Sequence, residues 1–171
     1  MTTPIFPKEG DYPKYFDQYL NYVKDGEFLD LMNSQVKAIE QLFDSKGEEW
    51  SGRGYAEGKW SPKEVLGHII DSERVFAYRA LAISRGDKTD LPGYDQDPYV
   101  EGANFNSLVS RDLLSDFKIN RIAILSMLRT IEESALEIKG NANGNPINAN
   151  ALFWIIPAHF AHHFHVLTEK Y

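Results

Sequence analysis

The chain carries five histidines, and four of them, His159, His162, His163 and His165, fall within seven residues close to the C-terminus. The fifth, His68, stands alone in an earlier amphipathic stretch. Imidazole is a ligand for Zn, Ni, Cu and Fe(II), so the first question is whether these rings can meet. Residues 159 and 163 are one helical turn apart and share a face. They continue a stripe through Leu152, Ile156, Val166 and Lys170 at alternating steps of four and three, the inward face of a bundle helix. His162 lies beside that stripe, and His165 points elsewhere. In the earlier stretch Val65, His68/Ile69, Ser72, Phe76, Arg79 and Ile83 trace the inward side, so His68 also faces the core. His68 is seven residues after Ser61, and His163 and His159 are eight and twelve residues before Tyr171. Antiparallel helices bring the three to one level, although the same arithmetic allows a parallel pair. Three imidazoles leave a fourth metal position for water or substrate, which is the pattern of a catalytic site. The competing account is a bundle whose histidines are merely packed.

The elements that must position these rings are helical nearly throughout. A first periodic stretch covers about Glu27 to Ser45, with Phe28, Leu31, Met32, Val36, Ile39, Leu42 and Phe43, and Lys46-Gly47 stops it. The second helix opens on a Ser61 cap, Pro62 and a capping-box Glu64, with Trp60 placed to staple its first turn, and closes at Gly86. Residues 86–106, rich in Gly, Pro, Asp and Asn, form a connection long enough to be functional or topologically required. A third helix is expected from about Ser110 to Ala135, a turn at Lys139–Asn148, and a last helix from about Asn150 to the end. Asp11 to Val23 is expected to add a short helix across the bundle. With no strand candidate, the fold class is an all-α four-helix bundle forming one domain over residues 1–171. The long connection can span a helix length, so helices two and three can be parallel through a crossover.

Composition narrows the classes further. There is no cysteine, which excludes disulfides, thiolate metal sites and cysteine nucleophiles. Eighteen basic against twenty-five acidic residues give a net charge of −7, which disfavours nucleic acid as a partner. The apolar runs are too short for a membrane span, and the N-terminus lacks the pattern of a signal peptide, so a cytoplasmic address is expected.

The run Lys59–Arg74, KWSPKEVLGHIIDSER, resembles the W-S-x-x-E…H-x-x-D segment of the DinB-like (DinB/YfiT-like) family of metalloenzymes. The likeness continues through Tyr78-Arg79-Ala80 and Asp90–Asp95, resumes at Ala103–Asn106 and ends at His159–His163. The first helix fits by pattern only. The resemblance implies a four-helix bundle with a long connection between helices two and three. It also implies a divalent metal, usually zinc or nickel, held by one histidine of helix two and an HxxxH pair of helix four. Carried over, these are His68, His159 and His163. Relatives include S-transferases that use bacterial low-molecular-weight thiols, and a thiol-dependent isomerase. A thiol S-transferase or a hydrolase acting on a small molecule is therefore expected. The alternative is a stress-response protein that binds metal or ligand without turnover. A homodimer is allowed. Fold transfers within a family better than reaction does.

Other residues bear on the chemistry. Asp71 is placed to orient an imidazole or to act as a base, and with Glu73 it can equally belong to a solvated helix face. Arg79 and Arg121 face inward, each able to bind an anion or to pair with a buried carboxylate, and pairing is the preferred expectation. Tyr94, Asp95 and Asp97 lie in the long connection, which can cover the site. Pro157 removes a hydrogen bond to the Phe153 carbonyl just before the histidine motif. Ligand imidazoles must be neutral, so metal affinity is expected to fall as pH drops through about 6.5.

Overall fold

The computed structural model describes residues 2–171. A single 3-10 turn at Lys14–Phe16 leads into a short helix α1 (Asp17–Leu20), and the frame begins with α2 (Phe28–Lys46). Phe28, Met32, Ile39 and Phe43 bury one stripe of α2, and Gly47 ends it with φ of 83°, a left-handed value that glycine takes without a steric penalty. After the short α3 (Glu48–Ser51) comes α4 (Pro62–Ser84). Its expected start is realised in full. Ser61 Oγ accepts from the Glu64 amide at 3.2 Å, and Glu64 Oε2 accepts from the Ser61 amide at 2.7 Å. Such a cap is worth about 1 kcal/mol. Helix α6 (Ser110–Leu128) and helix α7 (Ala149–Lys170) complete the bundle, with α5 (Gln96–Ala103) inside the long connection. The α7 helix continues through Pro157, and Asn148 caps it by accepting from the Ala151 amide at 2.8 Å.

Two expectations need correcting. The third long helix stops at Leu128 rather than near Ala135, and a 3-10 turn at Glu133–Glu137 follows. Thr130 Oγ1 donates to the Met127 carbonyl, and the Arg85 guanidinium takes the Thr130 carbonyl, so the last helical groups are capped from outside the helix. The fold is also not purely helical. Residues 139–148 form a hairpin of β2 (Lys139–Ala142) and β3 (Asn145–Asn148), and β1 (Asp90–Leu91) pairs parallel to β2. Asn143 and Gly144 turn the hairpin with φ of 54° and 72°, the two positive values of a type I′ turn.

That small sheet positions the site. The Asn143 amide donates to the Leu91 carbonyl at 2.8 Å, and Asp90 accepts from the Gly144 amide at 3.2 Å. The long connection is thereby pinned just before Gly93 and Tyr94. A Cβ at Gly93 would overlap the Asn143 carboxamide, so a larger residue here would have to displace that side chain. Farther along, Phe105 packs its ring on α4 where Gly67 leaves room.

The core divides into two apolar clusters with a polar layer between them. One contains Met32, Phe76, Ile124 and Ile156, the other Ile39, Ile70, Phe117 and Phe160. Between these levels lie Gln35, Glu73 and Arg121, all buried. The links from the α4 segment to the α6 segment advance together along both: Lys63 to the Leu108 carbonyl, Arg74 to Asp116, Arg85 to Thr130. Among the described residues no helix is long and apolar enough to cross a membrane.

Candidate metal centre

His68 enters from the first turns of α4, and His159 and His163 from successive turns of α7. The Nε2 atoms of His68 and His159 are 3.2 Å apart, and those of His163 and His159 are 3.1 Å apart. One ring nitrogen from each of the three lies within 4.8 Å of the others. Ligand atoms about 2.0–2.1 Å from a tetrahedral zinc are about 3.3 Å from one another, so two edges already match.

The donor chemistry points the same way. A neutral imidazole Nε2 offers either one hydrogen or one lone pair. His159 Nε2 faces two other Nε2 atoms and can satisfy only one of them by hydrogen bonding. A cation that accepts all three lone pairs satisfies the whole set. His159 Nδ1 is enclosed and has no hydrogen-bond partner among the described residues, so nothing on that side compensates the burial of the ring.

Burial keeps the rings neutral. It pushes His68 down to about 4, with the neighbouring His162 adding a smaller push. It pushes His163 down to about 3 and His159 well below the ordinary range. This revises the expected pH dependence. The unfolded chain takes up protons near pH 6.5 that the folded chain refuses, so stability is full above that value and is lost as pH falls towards the folded pKa values. The melting temperature of metal-free protein should therefore fall between about pH 6.5 and 4. Zinc affinity of the folded protein should stay nearly flat from about pH 8 to 5, because no proton competes there. A steep loss of affinity between about pH 7 and 6 in protein that is still folded would contradict this.

The surroundings of the rings differ from the expected ones. His68 Nδ1 lies 3.5 Å from Ser72 Oγ, and Ser72 shares a hydrogen bond with the Tyr94 hydroxyl. The Trp60 ring packs on His68 with centroids 5.1 Å apart. Asp71 instead lies 3.5 Å from Arg74, and among the described residues it makes no hydrogen bond to an imidazole. A cavity of about 170 Å³ opens on His68 and His159, lined also by Ser72, Phe76, Arg79 and Tyr94.

A family model for the DinB superfamily matches residues 33–167. The chain belongs to the DinB superfamily. That span holds the cap, the long connection and all three imidazoles. YfiT from Bacillus subtilis, described as "a probable metal-dependent hydrolase with an unusual four-helix bundle topology", is a similar solved structure. Its TM-score is 0.70 at 17% identity, covering 96% of this chain and 90% of that one. At that identity the likeness shows the DinB fold alone. No curated protein matches the chain.

Within this DinB fold the remaining candidates are placed as follows. His162 packs edge-on against Tyr19, ring centroids 5.0 Å apart, and His165 is exposed beside Tyr22. Glu73 is not on a solvated face, being fully buried against Arg121. The expected carboxylate pair exists for Arg121 but not for Arg79, whose guanidinium donates to the Pro92 carbonyl at 2.6 Å. Asp95 caps α5, and Asp97 lines a separate cavity with His163 and Trp60. Ser72 had been legible only as an inward position, and nothing in its spacing tied it to Tyr94. That contact depends on where the sheet pins the connection.

Proposed function

We propose that this DinB-superfamily protein is a metal-dependent enzyme, a thiol S-transferase or a hydrolase, in which His68, His159 and His163 hold one divalent ion, zinc or nickel, through their Nε2 atoms. A divalent ion at three neutral imidazoles supplies Lewis acidity and a coordination place for a nucleophile. The chain's own residues supply the rest. Ser72 orients the His68 ring from the Nδ1 side, the usual task of a partner behind a ligand imidazole. The Tyr94 hydroxyl, hydrogen-bonded to Ser72, stands in the cavity wall with a proton available for transfer. Burial raises the Tyr94 pKa, so that proton stays on at neutral pH. Phe16, Tyr19 and Phe76 line the same cavity and limit its water. Tyr94 lines the cavity that reaches His68 and His159, whereas Asp71 lies 3.5 Å from Arg74 and is not part of that lining.

The observation that carries the proposal is the convergence of three neutral imidazole nitrogens, two from buried rings and one from the half-buried His163, that cannot all satisfy one another. The crossover between the second and third long helices belongs to the same family reading. Its support is the parallel advance of the α4 and α6 contacts. Elemental analysis of untagged protein is expected to give one zinc or nickel per chain. Protein that carries no metal and takes up none on titration overturns the proposal. Assays with thiols plus electrophiles, and separately with esters and amides, then divide the reactions. Thiol-dependent turnover marks a transferase, and thiol-independent turnover marks a hydrolase. Stoichiometric metal with no turnover on either panel favours the non-catalytic alternative.

A further inference from the structure

Among the described residues, buried Lys and Arg side chains come with a carboxylate, with one exception. Arg121 has Glu73, and Lys63 has Glu48. Arg79 is only 7% exposed, yet it has no acidic partner among the described residues. Its one protein acceptor is the neutral Pro92 carbonyl. A guanidinium has five N–H donors in a rigid fork, so most of its hydrogen-bonding capacity is unspent. None of its donors is among the fully buried unpartnered polar atoms of the described residues, which are those of Asn148, Trp154 and His159. Arg79 lines two adjoining cavities. One is the small cavity that reaches His68 and His159. The other, of about 380 Å³, is walled by Phe16, Ala142, Ile147 and Leu152.

We propose that Arg79 is the anchor for a carboxylate of the substrate, and that the site takes a small organic acid with an apolar body. The assignment of a reacting end rests on the metal-dependent reading of the same site. A buried guanidinium without a counter-ion carries a desolvation penalty that an incoming anion relieves, and two oxygens of a carboxylate match its fork. The charge on the ligand follows from the lining. Arg79 is the only cationic side chain in the lining, and around it Tyr94, Gln96 and Asn143 are neutral hydrogen-bonding groups. At the Arg79 end one carboxylate charge is balanced by one guanidinium. The chain's net charge of −7 repels anions at long range, so this attraction is local. Geometry sets the ends of the ligand. Arg79 is three turns beyond His68 on α4, and its stem leans back towards the helix N-terminus, as helical side chains do. The acid is thus held at the far end of the cavity and the reacting group lies near the imidazoles, while the apolar body rests on Phe16, Ile147 and Leu152.

The test compares 3-phenylpropionate with its neutral amide, by calorimetry and by NMR titration. Both are titrated into metal-free protein whose helicity has been verified, and into zinc-loaded protein. The acid is expected to bind metal-free wild type at least about tenfold more tightly than the amide. That ratio should collapse towards one in Arg79→Gln and survive in part in Arg79→Lys. Zinc affinity should be unchanged in both variants. A ratio that persists in Arg79→Gln overturns the proposal. So does a preference seen only with zinc present, since the metal and not Arg79 would then hold the acid. No preference in wild type, including no measurable binding of either probe at millimolar concentration, overturns it as well. The wild-type comparison decides the matter even if Arg79→Gln fails to fold. Should the protein bind no zinc, the metal reading fails by itself, and the ratio in metal-free protein still tests Arg79.

Discussion

Zinc binding should be lost almost entirely in His163→Ala and largely kept in His162→Ala. The two residues are neighbours of one type, so composition and local charge barely distinguish them. Position does. His163 Nε2 is 3.1 Å from His159 Nε2, and the His163 ring is 4.8 Å from that of His68, centroid to centroid. Residue 162 is rotated about 100° from 163 on the helix. Its ring lies edge-on to Tyr19 and Tyr22, 5.0 and 6.0 Å away. Recruiting it would require α7 to turn, and α7 cannot turn without moving Phe160 and Leu167 out of the core. Outer-shell partners of a metal commonly cost up to about 100-fold in affinity when removed. His163→Ala removes a ligand and should exceed that figure, whereas His162→Ala should stay well within it. Calorimetric titration with zinc, on proteins whose helicity is shown to be unchanged, measures both. The reverse ranking would transfer the site to His159 and His162.

The rings could be found from sequence because their signal is periodic. His159 and His163 interrupt an apolar stripe whose phase is fixed by Leu152, Ile156 and Val166. The cap at Ser61 fixes where His68 falls along α4. Phase and register are local quantities, and local quantities survive in sequence. The hairpin at 139–148 was also locally encoded, in Asn143-Gly144, but its strands are four residues each and carry little apolar alternation. β1 is two residues long and has no signature at all. What that sheet does to the site was therefore hidden. It holds Gly93 against Asn143 and sets Tyr94 on Ser72, two contacts made between distant parts of the chain. The partners of the arginines were hidden for a related reason. Arg79 and Arg121 both lie on inward stripes, and only packing shows that Glu73 serves Arg121 while Arg79 is left facing a cavity. Asp71 and Glu73 are two residues apart, which on a helix means opposite sides. One goes to Arg74 at the surface and the other to the centre of the bundle.

Breaking that central pair should cost more stability than any surface change. Glu73 is fully buried, and Arg121 is 1% exposed. The guanidinium meets the carboxylate through Nη2 at 2.7 Å and through Nε at 2.9 Å. Asn120 donates to the second oxygen at 3.2 Å, and Gln35 accepts from Arg121 at 3.0 Å while donating to the Pro157 carbonyl at 2.9 Å. The cation is also stacked over Phe117, 4.9 Å from its centroid, and lies 5.5 Å from that of Phe160. Such a set is nearly saturated with partners, so a single truncation leaves a buried charge with none to replace the one removed. Arg121→Met or Glu73→Leu alone should therefore lower the unfolding free energy by about 3–5 kcal/mol. The pair replaced together, Glu73→Leu with Arg121→Met, removes both charges and should recover much of that loss, because matched apolar groups of similar size often do as well as a buried ion pair. Urea unfolding of the four proteins closes the double-mutant cycle. Additive losses, with the double variant the least stable, would mean that the two charges are solvated independently and that the polar layer between the apolar clusters is wet. The recovery expected here would mean that the layer is dry and that α2, α4 and α6 are held in register partly by the need of Arg121 for Glu73 and Gln35. His159 lies two residues from Pro157, the carbonyl that Gln35 holds, so the same layer braces the stretch of α7 that presents the imidazoles. Zinc affinity measured on the double variant then reads that bracing directly: an unchanged value would limit the layer to stability, and a weakened one would extend its role to the site.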